Sequence, residues 1–200
     1  ILGSQNLVAV LGIVTAVGSM ISMALCPLLI KKLNERNAYI LLSVYGFAAS
    51  IFSFVIGHFW FQSPKNMVLT VLFYASLFLI GLQFGAVTLM PMIMTADTVD
   101  YYEYETGKRM EGACYSILTL TIKVCLALGT AVGLIFVQKS GYYESLTAGT
   151  FTTKTKDIIF FAYTALPGIL ALISIFPMFK YDIVGEKKAK ISYELAARRK

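Results

Sequence analysis

Apolar positions along the chain gather into five long stretches, roughly 4–30, 38–57, 67–95, 112–137 and 157–179, separated by short polar segments. Each is long enough to cross a hydrocarbon core about 30 Å thick, which takes about 20 helical residues at about 1.5 Å per residue. Helix is the predicted element throughout, because backbone groups that cannot reach water must pair inside their own segment. A spanning barrel would instead alternate apolar and polar positions over segments of about ten residues, and no such alternation occurs. The pattern therefore predicts an all-α membrane protein, a transmembrane helix bundle. Residues 1–180 hold the five spans and 181–200 form a separate basic tail.

The polar segments orient the spans. Lys31, Lys32 and Arg36 lie in the first, Lys108 and Arg109 in the third, and seven basic residues follow from Lys180, making twelve on one side. The opposite side has four, Lys65, Lys139, Lys154 and Lys156. Loop charge sets topology, so the C-terminus is predicted to be cytoplasmic, in the cell (plasma) membrane. Phe59, Trp60 and Phe61 read as aromatic anchors at the outer headgroup level, with His58 beside them and no acidic neighbour in sequence. The tail, with Lys187, Lys188, Lys190, Arg198, Arg199 and Lys200, reads as a solvated segment that fixes orientation.

Composition sharpens this. Hydrophobic residues make up 58% and charged ones 14%, against about 45–50% and about 25% in soluble domains. The net charge of +6 is spread between and after the spans rather than gathered into a patch with interleaved aromatics, so no nucleic-acid partner is expected. Cys26, Cys114 and Cys125 fall inside apolar stretches and suggest helix packing, not disulfides or metal binding. No nucleophile–base pair, glycine-rich phosphate loop or metal cluster is recognisable, so neither an enzyme nor a cofactor is expected. The chain opens on Ile1 without a basic leader segment, which predicts further sequence upstream.

Lys123 carries the most information. A lysine near the middle of a span costs about 2.5–3.5 kcal/mol on insertion, which predicts a cavity or a buried partner. Helical steps of three or four place Ser116, Thr119, Ala127 and Thr130 on its face, while Leu120, Val124, Leu128 and Val132 lie on another. This cationic, hydroxyl-lined stripe suits a hydrated substrate route. Gly81-x-x-x-Gly85 and Gly129-x-x-x-Gly133 predict close helix crossings, and Pro91 predicts a bend in the third span. Beyond that span, Asp97 and Asp100 are three residues apart at a helix C-terminus, where the dipole disfavours acids. They are expected to have cationic partners.

The run from Ala96 to Lys123 resembles the glycoside-pentoside-hexuronide:cation symporters, the melibiose permease-like family of the major facilitator superfamily. The resemblance rests on Asp97, Asp100, Tyr101, Glu103, Arg109, Glu111, Tyr115, Ser116 and Lys123, which fall in the family's order without a gap. Tyr102 stands where the family has glycine, and Asn34 where glycine is common. The resemblance implies the C-terminal half of a secondary active transporter, with the five spans as helices eight to twelve of twelve. It implies sugar:cation symport by alternating access, with a sugar substrate and a coupling Na+ or H+. The main cation site would lie in an N-terminal six-helix bundle, the partner across the central cavity. Lys123 with Thr119, Ser116 and Thr88 would border the substrate cavity, Thr88 standing where sugar-specific members place an aromatic. Asp97, Asp100, Arg109 and Glu111 would form a cytoplasmic gate. Two other readings stay open: a transporter of a different substrate, such as a lysolipid, on a related scaffold, and a non-transporting membrane interaction fragment.

Overall fold

A computed structural model describes residues 5–63 and 66–198, with side chains from Val10 onward. Lys65, Arg199 and Lys200 lie outside the described residues. The described residues form eight helices and no strand. These are α1 (Gln5–Gln62), α2 (Met67–Thr106), α3 (Glu111–Lys139), α4 (Tyr142–Ala148), α5 (Thr153–Tyr163), α6 (Ala165–Ile173), α7 (Ile175–Met178) and α8 (Gly185–Arg198). Four apolar helical stretches are long enough to cross a membrane. The first, Val10–Gln62, supplies two crossings, because 53 residues would extend roughly 80 Å if straight and the helix breaks at Asn34.

The predicted loop at 31–36 is thus a one-residue reversal. Contacts with α2 establish the fold-back. A Cβ at Gly81 would clash with the Thr15 carbonyl oxygen and one at Gly85 with the Ser19 carbonyl oxygen, so the arm before Asn34 runs parallel to α2. After the break, Gly46 abuts Gln83, Ser76 Oγ donates to Ser53 Oγ at 3.0 Å, and Trp60 Nε1 donates to Thr70 Oγ1 at 3.0 Å, so that arm runs antiparallel. Its other flank takes the last span: Gly57 meets Phe160, Gly168 meets Ser50, and the Tyr39 hydroxyl donates to Ser174 Oγ at 2.9 Å. Ser43, Gly46, Ser50, Ser53 and Gly57 recur at steps of three and four along this arm. Small residues at that spacing let backbones approach where no hydrophobic effect drives helices together.

Asn34 pays for the reversal with φ 63° and ψ 162°, a region that is essentially glycine-only and costs about 1–3 kcal/mol for other residues. Asn34→Gly should relieve that strain, offset in part by glycine's greater freedom in the unfolded chain, for a net gain of about 1 kcal/mol. A higher thermal unfolding midpoint in detergent is the expected result. A lower one would show that the asparagine side chain does more than bear strain.

The last span, Thr153–Met178, is interrupted after Tyr163 and after Ile173. Each interruption falls four residues before a proline, Pro167 and Pro177, whose ring removes an amide donor and crowds the carbonyl at that position. Pro91, by contrast, sits inside α2 without ending it, and the sequence alone does not separate the two cases. Gly81 and Gly85 make the predicted close crossing, but Gly129 and Gly133 face open space. Of the cysteines only Cys26 is buried.

Two sequence expectations are corrected at the ends of the bundle. Trp60 and Phe61 do not point outward as anchors. They pack with Phe73, Leu77 and Ile80 in the core, Trp60 stacked on Phe73 at 4.6 Å, because α1 remains helical to Gln62 and turns that face inward. Only Phe59 of the trio is exposed. The tail is not a solvated strand of charges either, since α8 buries Ile191 and Leu195 with Ile183 against Tyr101, Tyr104 and Tyr181.

Candidate functional site

Two ionic clusters occupy the end of the bundle where Asn34, the end of α2 and α8 meet. Helix α2 continues past the predicted limit of 95 to Thr106, where Gly107 closes it in the left-handed conformation, so Asp97 is a helical residue on the same buried face as Met90. Glu35, the first residue after the reversal, is buried beside it. Between the two carboxylates stands Lys188 of α8, its Nζ 2.5 Å from Glu35 Oε1 and 2.7 Å from Asp97 Oδ1. The Tyr181 hydroxyl donates to Asp97 Oδ2 at 3.3 Å. One ammonium therefore ties three segments that are remote in sequence. Desolvation alone would lower the Lys188 pKa, but the hydrogen bonds and charges of Asp97 and Glu35 outweigh it and hold the amine above the usual lysine range. Burial, reinforced by the same two carboxylates, pushes the Tyr181 phenol upward, so it stays a neutral donor.

The second cluster is exposed. Arg109 reaches Glu103 at 2.8 Å, Glu111 at 3.1 Å and Asp100 at 3.2 Å. Exposed pairs of this kind contribute little to stability. Here they draw the start of α3 toward the end of α2, and Glu111 also suits the positive end of the α3 dipole, where Met110 offers no side-chain cap. Of the four residues grouped from sequence as a gate, Asp100, Arg109 and Glu111 come together. Asp97 joins Lys188, Glu35 and Tyr181 instead, although both acids line one small cavity with Ile183, Lys188, Ile191 and Ser192. The expected cationic partners exist, but that of Asp97 comes from the tail, as Lys188, and is shared with Glu35.

Lys123 lies on α3, a helix with no buried residue. It lines an open groove of about 420 Å³ with Gly112, Tyr115, Ser116, Thr119 and Leu120. Ser116 Oγ donates to the Gly112 carbonyl at 2.7 Å and Thr119 Oγ1 to the Tyr115 carbonyl at 2.8 Å. Each hydroxyl thus spends its proton inside the helix and keeps lone pairs for a ligand. No carboxylate among the described residues pairs with Lys123. Leu120, placed on another face from periodicity, joins this groove. Thr88 does not: it is exposed on α2, its hydroxyl donating to the Phe84 carbonyl at 2.7 Å, and it is no part of that lining. At the opposite end His58 Nδ1 meets Asp157 Oδ2 at 2.9 Å, an acidic neighbour 99 residues away that its sequence surroundings do not reveal.

A family profile described as MFS/sugar transport protein matches residues 1–185. The chain belongs to the MFS/sugar transport protein family. Relatives of this MFS chain include a glucuronide carrier protein homolog of Escherichia coli, 24% identical over 204 residues, covering 100% of this chain and 41% of the relative. A putative sulfoquinovose importer of the same organism is 25% identical over 202 residues, covering 100% and 40%. An uncharacterized 29.9 kDa protein of Pseudescherichia vulneris is 29% identical over 145 residues, covering 72% and 50%. The MFS chain thus spans about two-fifths to half the length of these relatives. No solved structure matches it. The family resemblance seen between Ala96 and Lys123 is therefore correct, and the protein is an integral membrane protein of a transporter family, not an enzyme.

Proposed function

We propose that the chain is the C-terminal portion of a sugar:cation symporter, helices eight to twelve of twelve, working by alternating access against an N-terminal six-helix bundle. The observation that carries this reading is the stripe of Lys123, Thr119 and Ser116 on a spanning helix that buries nothing in its own bundle. A polar face turned away from its own bundle suits a midplane site shared between two bundles. The relatives' names speak of a glucuronide and of sulfoquinovose, both anionic sugars. An unpaired ammonium with hydroxyl lone pairs beside it suits such a substrate: the ammonium meets the carboxylate or sulfonate, and Ser116 and Thr119 accept from ring hydroxyls.

In this reading Na+ or H+ is the coupling ion, bound mainly by acids of the N-terminal bundle. The ionic clusters around Lys188 and Arg109 face the cytoplasm of a plasma-membrane protein, as the distribution of basic residues implies, and act as its inner gate. The chain joined to an N-terminal bundle of this family should accumulate labelled glucuronide when a Na+ or proton gradient is imposed across proteoliposomes, and the chain alone should not. Accumulation by the chain alone, or no uptake of any acidic sugar by the joined protein, would remove the proposal.

A further inference from the structure

We propose that the groove enclosed by the two arms of α1 and by α2 holds an acyl chain of an anionic phospholipid whose phosphate rests on Lys32. The groove measures about 640 Å³ and its walls are apolar, with Leu25, Leu28, Leu29, Leu41 and Leu42 prominent. Leu25, Leu28 and Leu41 are exposed, so the groove is open along its side. The Tyr45 hydroxyl on its wall donates to the Leu79 carbonyl at 3.0 Å and makes no demand on an occupant. Along the first arm the lining runs from Ser22 to Lys32, about 15 Å at about 1.5 Å per residue, which is the depth of one bilayer leaflet.

The charge at the groove's mouth selects the head group. Lys32 is the only charged lining residue, and among the described residues neither it nor Lys31 has a carboxylate partner. Glu35, three residues on, is committed to Lys188. Just past the reversal, Arg36 lies over the Phe179 ring at 6.0 Å with its Nε buried and unpartnered. The exposed Lys32, with exposed Lys31 next to it, favours a phosphate with net negative charge over a zwitterionic head group that brings a cation of its own. A single-leaflet depth, an apolar wall and a cationic rim together describe a lipid rather than a helix of another protein.

Native mass spectrometry of the chain, purified in mild detergent with phosphatidylglycerol and phosphatidylethanolamine in equal amounts, tests this. The chain should retain one phosphatidylglycerol preferentially. Lys32→Gln, a change at an exposed position, should weaken retention about fivefold. Leu28→Trp, which fills the groove and keeps the cation, should weaken it as well, with circular dichroism confirming intact helices. Lys154→Gln, at an exposed position on the opposite end, should change nothing, and soluble glycerol phosphate in excess should not displace the lipid. Equal retention by Lys32→Gln or by Leu28→Trp, or equal retention of the two lipids, would overturn the proposal. Displacement by glycerol phosphate would overturn it too, since the site would then hold a free anion and no acyl chain.

Discussion

Replacing Lys123 by methionine should leave the amount of inserted protein unchanged and cut binding and gradient-driven uptake of an acidic sugar by the joined transporter roughly 10- to 150-fold. The magnitude is that of one hydrogen bond to a charged group, about 1.5–3 kcal/mol. Insertion should not suffer, because Lys123 is exposed on a helix that buries nothing, so its loss breaks no contact and leaves no carboxylate stranded. Methionine keeps most of the length and removes the insertion cost of a mid-span charge. Lys123→Arg should rescue poorly, since a planar guanidinium does not occupy the place of a compact ammonium. Surface abundance, equilibrium binding and uptake measured on the same preparation separate the alternatives. Wild-type binding and uptake by the methionine variant would reduce Lys123 to a tolerated charge.

Lys188→Met should destabilise the charged end most of all, because it leaves Glu35 and Asp97 buried side by side with their shared cation gone. Breaking a buried pair from one side costs about 3–5 kcal/mol. Lys188 is 36% exposed, so water softens the loss to about 2–3 kcal/mol. The expected signs are a lower unfolding midpoint and faster tryptic cleavage within Gly185–Arg198 as α8 undocks. Asp97→Asn should be milder, since the Lys188–Glu35 pair survives, yet it should slow transport by the joined protein more than it lowers inserted protein. Adding Glu35→Gln to Lys188→Met should restore part of the lost stability, as the cycle removes the repulsion created by the single change. The pH response has a definite sign. With its folded pKa above the unfolded value of about 10.4, Lys188 contributes its full stability below that value. The contribution is lost as pH rises through the higher folded value. An α8 whose protease resistance ignores Lys188→Met would show that Ile191 and Leu195 dock it without the ion pairs.

What the sequence determined by itself is the class of molecule, its spans and its family. Hydropathy over 20-residue windows reports whether a segment prefers lipid, a local property, so five crossings were legible even where Asn34 leaves only one residue between two of them. The motif from Ala96 to Lys123 is contiguous, and so was readable as a family signature. The seam of Ser43, Gly46, Ser50, Ser53 and Gly57 is periodic too, but only the packing identifies it as the arm against which both α2 and the last span pack. Tertiary structure alone decided the partners. Lys188 and Glu35 are 153 residues apart, Asp97 and Lys188 are 91 apart, and nothing in the neighbourhood of any of them announces the others. Whether the tail is solvated or docked, whether Trp60 faces headgroups or Phe73, and whether Gly129 supports a crossing as Gly85 does, each depended on which faces meet after the chain reverses. Periodicity shows that a helix has a distinct face; only the packing of neighbouring helices in three dimensions decides what that face touches.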